Sequence, residues 1–445
     1  MAIERSLDPA VPRGVPKAAA EASYGDDVVN EIPASAWGSS ACRFCGASLA
    51  LTVVDLGMSP LCESFLSAER VEEMEPFYPL HVRACEACWL VQLPSFVTPD
   101  EIFTEYAYFS AYSTAWVEHA RQYVGMIRGR LGLGSDDLVV ELASNDGYLL
   151  QHFSGTGVQI LGIDPAANVA KAAEERGVPT LVTFFGEETA HRLVKERKRA
   201  ALVLGNNVLA QVPDLNDFVA GVKVLLRDDG TTTFEFPHLL RLLDGLQYDT
   251  IYHEHFSYFS LATISEIFRA HGLEVYDVEE LWTHGGSLRI YGQHAGGPHA
   301  VEQAVVELLR REDESGLRSP DRYAAFDEGV RESKRALLEL LIDLRREGRH
   351  VVGYGAPGKG NTLLNYCGVR TDLLDYTVDR NPYKHGRFTP GTHIPIHPPE
   401  RIAETKPDYV VVLPWNLIDE IATQLDYVAE WGGRLIVPIP SATVI

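Results

Sequence analysis

The stretch Leu138-Val139-Val140-Glu141-Leu142-Ala143-Ser144-Asn145-Asp146-Gly147-Tyr148-Leu149-Leu150 decides the fold. An apolar run with an acid near its end, a turn of small and polar residues, and a second apolar run read as strand, tight turn and helix start. Small residues at Ala143 and Gly147, with Ser144 and Asn145 between them, let the backbone approach a ligand at the helix N-terminus. The next strand, Gln159–Ile163, ends on Asp164, 23 residues after Glu141, where an acid grips a ribose diol. A third, Ala201–Leu204, brings Asn206 and Asn207 to the same edge of the sheet. The dinucleotide fingerprint G-x-G-x-x-G is absent. The acidic strand end, the small-residue turn and the second acid together favour S-adenosylmethionine over NAD, with the two asparagines beside the cofactor's amino-acid part.

Working outward, candidate strands Thr231–Phe236, Glu274–Val278 and Ser287–Gln293 extend this block, and the alternation with amphipathic helices predicts a parallel sheet. A helical connector, Tyr112–Leu131, precedes the block and a charged helical stretch, Pro320–Arg349, follows it. A second α/β block then has strands near His350–Gly355, Leu374–Val378, Tyr409–Leu413 and Arg434–Pro438. Residues 1–38, rich in Ala, Pro and Gly without periodicity, read as a disordered leader. The expected order is a leader (1–38), a cysteine-bearing module (39–111), a cofactor domain (112–300) and a C-terminal Rossmann-like domain (301–445).

Lys and Arg number 39 against 62 Asp and Glu, a net charge of −23 that repels nucleic-acid backbones and anionic membrane surfaces. No apolar run approaches the roughly 18–20 residues of a membrane span, and the start carries no secretory signal, so the cytoplasm is the default location.

Four of the six cysteines form two C-x-x-C pairs, Cys42/Cys45 and Cys85/Cys88. In a cytosolic chain doubled C-x-x-C reads as tetrahedral zinc rather than disulfides, and a redox pair would be single and near a βαβ unit. Four thiolates leave no open position, so the site is structural. Cys62 and Cys367 read as buried small hydrophobes.

The segment Phe234-Glu235-Phe236-Pro237-His238, then Tyr248 to Tyr258 with Tyr252-His253-Glu254-His255, sets an acid–base cluster after the carboxyl end of a strand. A metal site and a plain surface loop are the rival readings. The second block opens with Gly353-Tyr354-Gly355-Ala356-Pro357-Gly358-Lys359-Gly360-Asn361-Thr362, a glycine-rich turn with one Lys and a helix predicted to start at Asn361. Such a turn suits a nucleotide pyrophosphate, with Gly355, Lys359 and Asn361 around it and Asp379 and Lys384 holding the remainder. It is not a Walker loop, and a simple tight turn is the alternative.

These motifs, in this order, resemble the S-adenosylmethionine-dependent C-methyltransferases that build branched TDP-deoxysugars for antibiotic glycosides. The resemblance covers nearly everything after residue 38. It implies an N-terminal zinc module, a middle cofactor domain and a C-terminal Rossmann-like domain anchoring the sugar nucleotide. The implied reaction is methylation at C-3′ of a TDP-linked 4-keto-deoxysugar, with Tyr252, Glu254, His255 and Tyr106 lining the centre. Where the family pattern has His, this chain has Gln211, which does not take up a proton near neutral pH. His255 is the first choice as base and Tyr252 the second, with Glu254 orienting His255 or holding a sugar hydroxyl. A nucleotide-sugar oxidoreductase or a methyltransferase on another small metabolite remains open, and so does the oligomeric state, for which a monomer suffices.

Overall fold

The computed structural model describes residues 41–98 and 110–445, which carry three β-sheets. The leader expected at 1–38 lies outside the described residues, and so does Tyr106. Strands β1 (Leu51–Ser59), β2 (Tyr78–Ala84) and β3 (Val91–Gln92) pair antiparallel, with β1 and β2 folding between the two cysteine pairs. The fourth strand of this sheet comes from far along the chain. It is β9 (Ser257–Tyr258), whose two residues pair with Gln92 and Val91.

Helix α1 (Thr114–Leu131) opens the second layer; Ser113 caps it by accepting from the Trp116 N–H, and Gly132 ends it in the left-handed conformation. Strands β4 (Leu138–Leu142), β5 (Gln159–Asp164), β6 (Thr180–Val182), β7 (Ala200–Asn206) and β8 (Leu226–Pro237) are parallel. Helices α2 (Ala167–Glu175), α3 (Glu187–Glu196) and α4 (Leu215–Leu225) alternate with them. The last two strands, β10 (Leu273–Leu281) and β11 (Ser287–His294), run antiparallel, which corrects the expectation of a wholly parallel sheet. Only residues 282–286 join them, far too few for a crossover. The sheet order is β10-β11-β8-β7-β4-β5-β6. Successive strands step outward from β4 in one direction and from β7 in the other, so a crevice opens at the carboxyl ends of these neighbours.

The helix expected after Gly147 is a single 3-10 turn, Leu150–Phe153. Gly155 and Gly157, both at positive φ, follow it and prevent continuation. Gly147 itself has φ 77°, and a Cβ there would stand 3.0 Å from Val178 Cγ2, so the turn requires glycine.

After β8 come α5 (Leu239–Asp244), α6 (Leu261–Ala270), α7 (Gln303–Glu314) and the 27-residue α8 (Pro320–Arg346). Tyr323, Phe326, Val330, Leu337 and Leu341 of α8 share one core with Val54 and Val82 of the first sheet and Val351 of the third. At roughly 1.5–3 kcal/mol per buried large apolar side chain, this stripe is a major tie between the N- and C-terminal sheets. The third sheet comprises β12 (Val351–Tyr354), β13 (Thr377–Val378), β14 (Ile396–His397), β15 (Tyr409–Val412), β16 (Arg434–Val437) and β17 (Thr443–Val444), parallel except for β17. Helix α9 (Gly358–Cys367) begins three residues earlier than predicted, so Lys359 lies in its first turn rather than in a loop.

Candidate functional site

The four sulfurs of Cys42, Cys45, Cys85 and Cys88 lie within 4.8 Å of one another. Cys42 and Cys88 are 3.6 Å apart, Cys45 and Cys85 3.5 Å. Tetrahedral zinc with bonds of about 2.3 Å needs sulfurs roughly 3.8 Å apart, so the quartet fits the ion. Gln92 Nε2 donates to Cys42 Sγ at 3.1 Å, and the Arg43 N–H holds Gln92 Oε1 at 2.9 Å. All four positions are taken by protein, which makes the site structural.

At the carboxyl edge of the sheet, Ala143, Asn145 and Asn207 are non-glycine residues at positive φ, which concentrates backbone strain there, and Gly147 shares that conformation without strain. Asp164 accepts from the N–H groups of Asn145 (2.8 Å) and Ala166 (2.9 Å). Asp146 pairs with Arg176 at 3.1 Å. Glu141 is fully buried, and Ser144 Oγ and Asn207 Oδ1 are buried with no hydrogen-bond partner. Burial, and then the charges of Asp164 and Asp146, push the Glu141 carboxyl well above its usual range. Orphaned acceptors among three acids suit a ligand with cationic and hydroxyl groups, and S-adenosylmethionine carries a sulfonium, an ammonium and a ribose.

The acid–base segment is clamped from two sides. The Phe256 N–H donates to Ala210 O at 2.7 Å, which sets the Gln211 turn beside it, and Phe256 O accepts from the Leu93 N–H at 3.0 Å. Within the segment the rings of Tyr252 and His255 are 4.0 Å apart. His255 Nδ1 donates to Thr250 O at 2.8 Å, so Nε2 keeps its lone pair in the neutral ring. Burial, reinforced by Lys359, lowers the His255 pKa to about 4. Burial and then the neighbouring Cys62, Glu254 and Glu63 keep the Tyr252 phenol protonated far past its ordinary range. Glu254 Oε1 lies 3.8 Å from Cys62 Sγ. His253 turns the other way, toward Pro79 O at 3.3 Å, and so does not meet His255 as a joint metal ligand.

The residues predicted to cradle a pyrophosphate are closely engaged with protein. Lys359 Nζ donates to Asn416 Oδ1 at 2.8 Å and lies over the Trp415 ring. Asn361 is buried and donates to Cys62 O at 2.6 Å. Asp379 accepts from the N–H groups of Ala356 (2.7 Å) and Asn381 (2.8 Å), and Lys384 Nζ donates to Ala356 O at 2.7 Å. Gly355, at φ 85°, packs against Pro414. The amino end of α9 is occupied by Glu63, whose carboxylate accepts from the Gly358 N–H and stands 3.7 Å from Lys384 Nζ.

Three family models match the chain in order: a zinc binding domain at 42–103, a methyltransferase domain at 116–278 and a C-methyltransferase C-terminal domain at 282–440. C-methyltransferase NovU of Streptomyces niveus is 38% identical over 404 residues, covering 91% of this chain and 96% of that protein. The chain belongs to the C-methyltransferase family. Among solved structures, Burkholderia thailandensis 1,6-didemethyltoxoflavin-N1-methyltransferase with S-adenosylhomocysteine is 20% identical, covering 41% of this chain and 81% of that one, with a TM-score of 0.31. Synechocystis magnesium protoporphyrin IX methyltransferase with bound SAM is 14% identical, covering 41% and 82%, with a TM-score of 0.30. This C-methyltransferase uses S-adenosylmethionine and carries structural zinc.

Three buried or partly buried groups near the crevice and the acid–base segment were given no individual role from the sequence. His284 lies in the β10–β11 turn and meets Asn207 Nδ2 at 2.7 Å. Glu235, buried at the end of β8, accepts from His119 (2.9 Å), Arg289 (2.8 Å) and Thr283 (2.8 Å). Burial opposes its charge, but the His119 bond and the Arg289 guanidinium hold its carboxyl below the usual range. Asp249 accepts from Trp415 Nε1 at 2.6 Å, and burial raises its pKa to about 6. The one available signal was Glu235 closing an apolar strand beside a polar turn.

Proposed function

We propose that the enzyme methylates C-3′ of a TDP-linked 4-keto-deoxysugar through an enolate, with His255 as base and Tyr252 as hydrogen-bond donor to the enolate oxygen. The observation that carries this reading is the Thr250 tether, which commits the proton of neutral His255 to Nδ1 and leaves Nε2 bare. The imidazole takes the proton from the carbon beside the ketone. The Tyr252 hydroxyl stays protonated and donates to the oxygen on which negative charge gathers. S-Adenosylmethionine supplies an electrophilic methyl group, which the enolate carbon captures as the carbon–sulfur bond breaks. With an imidazolium pKa near 4, His255 is a weak base, so enolate stabilisation by Tyr252 and the nearby Lys359 charge must carry much of the barrier.

In this reading Glu254 and Gln211 complete the centre with Tyr106, while Glu141, Ala143, Ser144, Asn145, Gly147, Asp164, Asn206 and Asn207 form the cofactor crevice. Gly355, Lys359, Asn361, Asp379 and Lys384 serve the nucleotide half of the substrate. The domain limits are 39–111, 112–300 and 301–445. The likeness to C-methyltransferase NovU supports carbon as the acceptor atom. No described helix is long and apolar enough to cross a membrane, which accords with a cytoplasmic setting. Purified protein incubated with methyl-labelled S-adenosylmethionine and a panel of TDP-4-keto-sugars tests the proposal. Label retained on carbon in one product supports it; label on oxygen or nitrogen, or none with any sugar, overturns it.

A further inference from the structure

Asn207 and His284 are both non-glycine residues in the left-handed region, at φ 57° and φ 55°, and they meet at 2.7 Å. Such conformations persist only where the surroundings over-determine them, and they collect at functional sites. Here one residue fixes both partners. The Glu235 carbonyl accepts from the Asn207 N–H at 2.7 Å, and the Glu235 carboxylate accepts from Thr283 Oγ1 at 2.8 Å, immediately before His284. The turn is closed further by the Gly286 N–H on Thr283 O at 2.9 Å and by Gln247 Nε2 on Gly285 O at 2.7 Å. Trp116 meets the His284 ring edge-on at 5.3 Å.

We propose that His284 is a positioning residue for the methyl donor: its Nε2 accepts from Asn207 Nδ2, which turns Asn207 Oδ1 toward the crevice as an acceptor for the cofactor's ammonium group. The contact is complementary only if the ring is neutral with its proton on Nδ1, because two N–H groups would otherwise oppose each other. Burial and the facing Lys359 hold the ring neutral, against Glu235, with His255 and His119 adding to the same effect. Asn207 Oδ1 is buried and has no protein partner, so the amide carries an acceptor that the protein does not use. The inference rests on the reading that Asn206 and Asn207 flank the methyl donor.

The experiment measures S-adenosylhomocysteine affinity by calorimetry on the zinc-loaded full chain, together with kcat and the KM for S-adenosylmethionine. His284→Phe keeps ring volume and removes the acceptor; affinity should fall about tenfold and KM rise in step, with kcat at saturation within about threefold. His284→Gln places an oxygen at similar reach and should restore most of the affinity. Asn207→Ala should lose as much as His284→Phe, and the double variant no more than either. If His284→Phe does not fold, His284→Leu, which also removes the acceptor, carries the same test. Unchanged affinity in the variant that removes the His284 acceptor, beside a loss in Asn207→Ala, overturns the inference and leaves the crevice reading intact. Full affinity in Asn207→Ala overturns the crevice reading too. Failure of His284→Gln to recover what His284→Phe loses shows that ring packing, not the acceptor, is at work, and also overturns the inference.

Discussion

Gln92 donates to the Cys42 sulfur at 3.1 Å while its backbone pairs with Ser257, two residues beyond His255. The structural zinc is thus one side chain and one strand pairing away from the acid–base segment. Removing the metal should therefore damage folding first. Cys42→Ser, or chelation of the wild type, should lower the melting temperature by many degrees, because closed thiolate sites contribute folding free energy outright. A metal-free Cys42→Ser protein with an unchanged melting temperature would rule this out. Gln92→Ala should keep its zinc by elemental analysis yet lose about 1–3 kcal/mol of stability.

The sharpest chemical prediction separates His255 from Tyr252. His255→Asn should bind both ligands and slow turnover roughly 10²–10⁴-fold, the usual worth of a general base. Deuterium exchange from solvent into the carbon beside the ketone, run without methyl donor, should vanish in that variant and merely slow in Tyr252→Phe. The reverse pattern would make Tyr252 the base.

The pH dependence follows from burial. His255 and His253 both have pKa values lowered to about 4, chiefly because the interior disfavours their charged forms. Unfolded histidine takes up its proton near 6.5, so between about 4 and 6.5 the unfolded chain binds more protons than the folded one. Stability from these groups is intact above 6.5 and falls with acidification toward 4, at up to about 1.4 kcal/mol per pH unit for each ring. Melting temperature should decline over that window. Solvent exchange at the substrate carbon should stay flat from pH 8 to about 5, since the base form of His255 persists there.

At the amino end of α9, Glu63 already holds the Gly358 N–H, where a pyrophosphate was expected from the sequence. Lys359→Ala should raise the KM for the sugar nucleotide and leave S-adenosylmethionine affinity nearly intact. Glu63→Gln should lower the same KM, because it removes a like charge from the helix end. Equal weakening of both ligands by Lys359→Ala would mean that the residue serves the crevice instead.

What the sequence revealed divides along physical lines. Strands β4, β5 and β7 were legible as short, largely apolar and largely buried runs, β8 as the β-branched and aromatic stretch Thr231–Phe236, and the cysteine quartet because its spacing carries its chemistry. β9 was not, because two residues carry no periodicity and their partners are remote in the chain, Val91 pairing with Tyr258 and Gln92 with Ser257. The start of α9 was misplaced because Gly358 and Gly360 read as loop, although Asn361, Thr362, Leu363 and Leu364 bury the helix among its neighbours. His284 left no trace: a single histidine in a short hairpin becomes meaningful only when the hairpin returns beside β7's end.

Gln211 supplies the last test. Its turn is pinned to the acid–base segment by the Ala210–Phe256 bond, so its backbone is tied to the residue that follows His255. An amide can donate and accept hydrogen bonds but does not carry a proton through a catalytic cycle near neutral pH. If His255 alone removes the proton, Gln211→Ala should slow exchange less than tenfold, against at least a hundredfold for His255→Asn, and its main effect should fall on the sugar's KM. Gln211→His places a second imidazole in the same turn. Exchange should then stay within about threefold of wild type, since the proton already has its acceptor. A variant tenfold faster would show that proton removal here is limited by the weak basicity of His255. A dead variant would show that the pocket at position 211 is shaped for a sugar that an imidazole excludes.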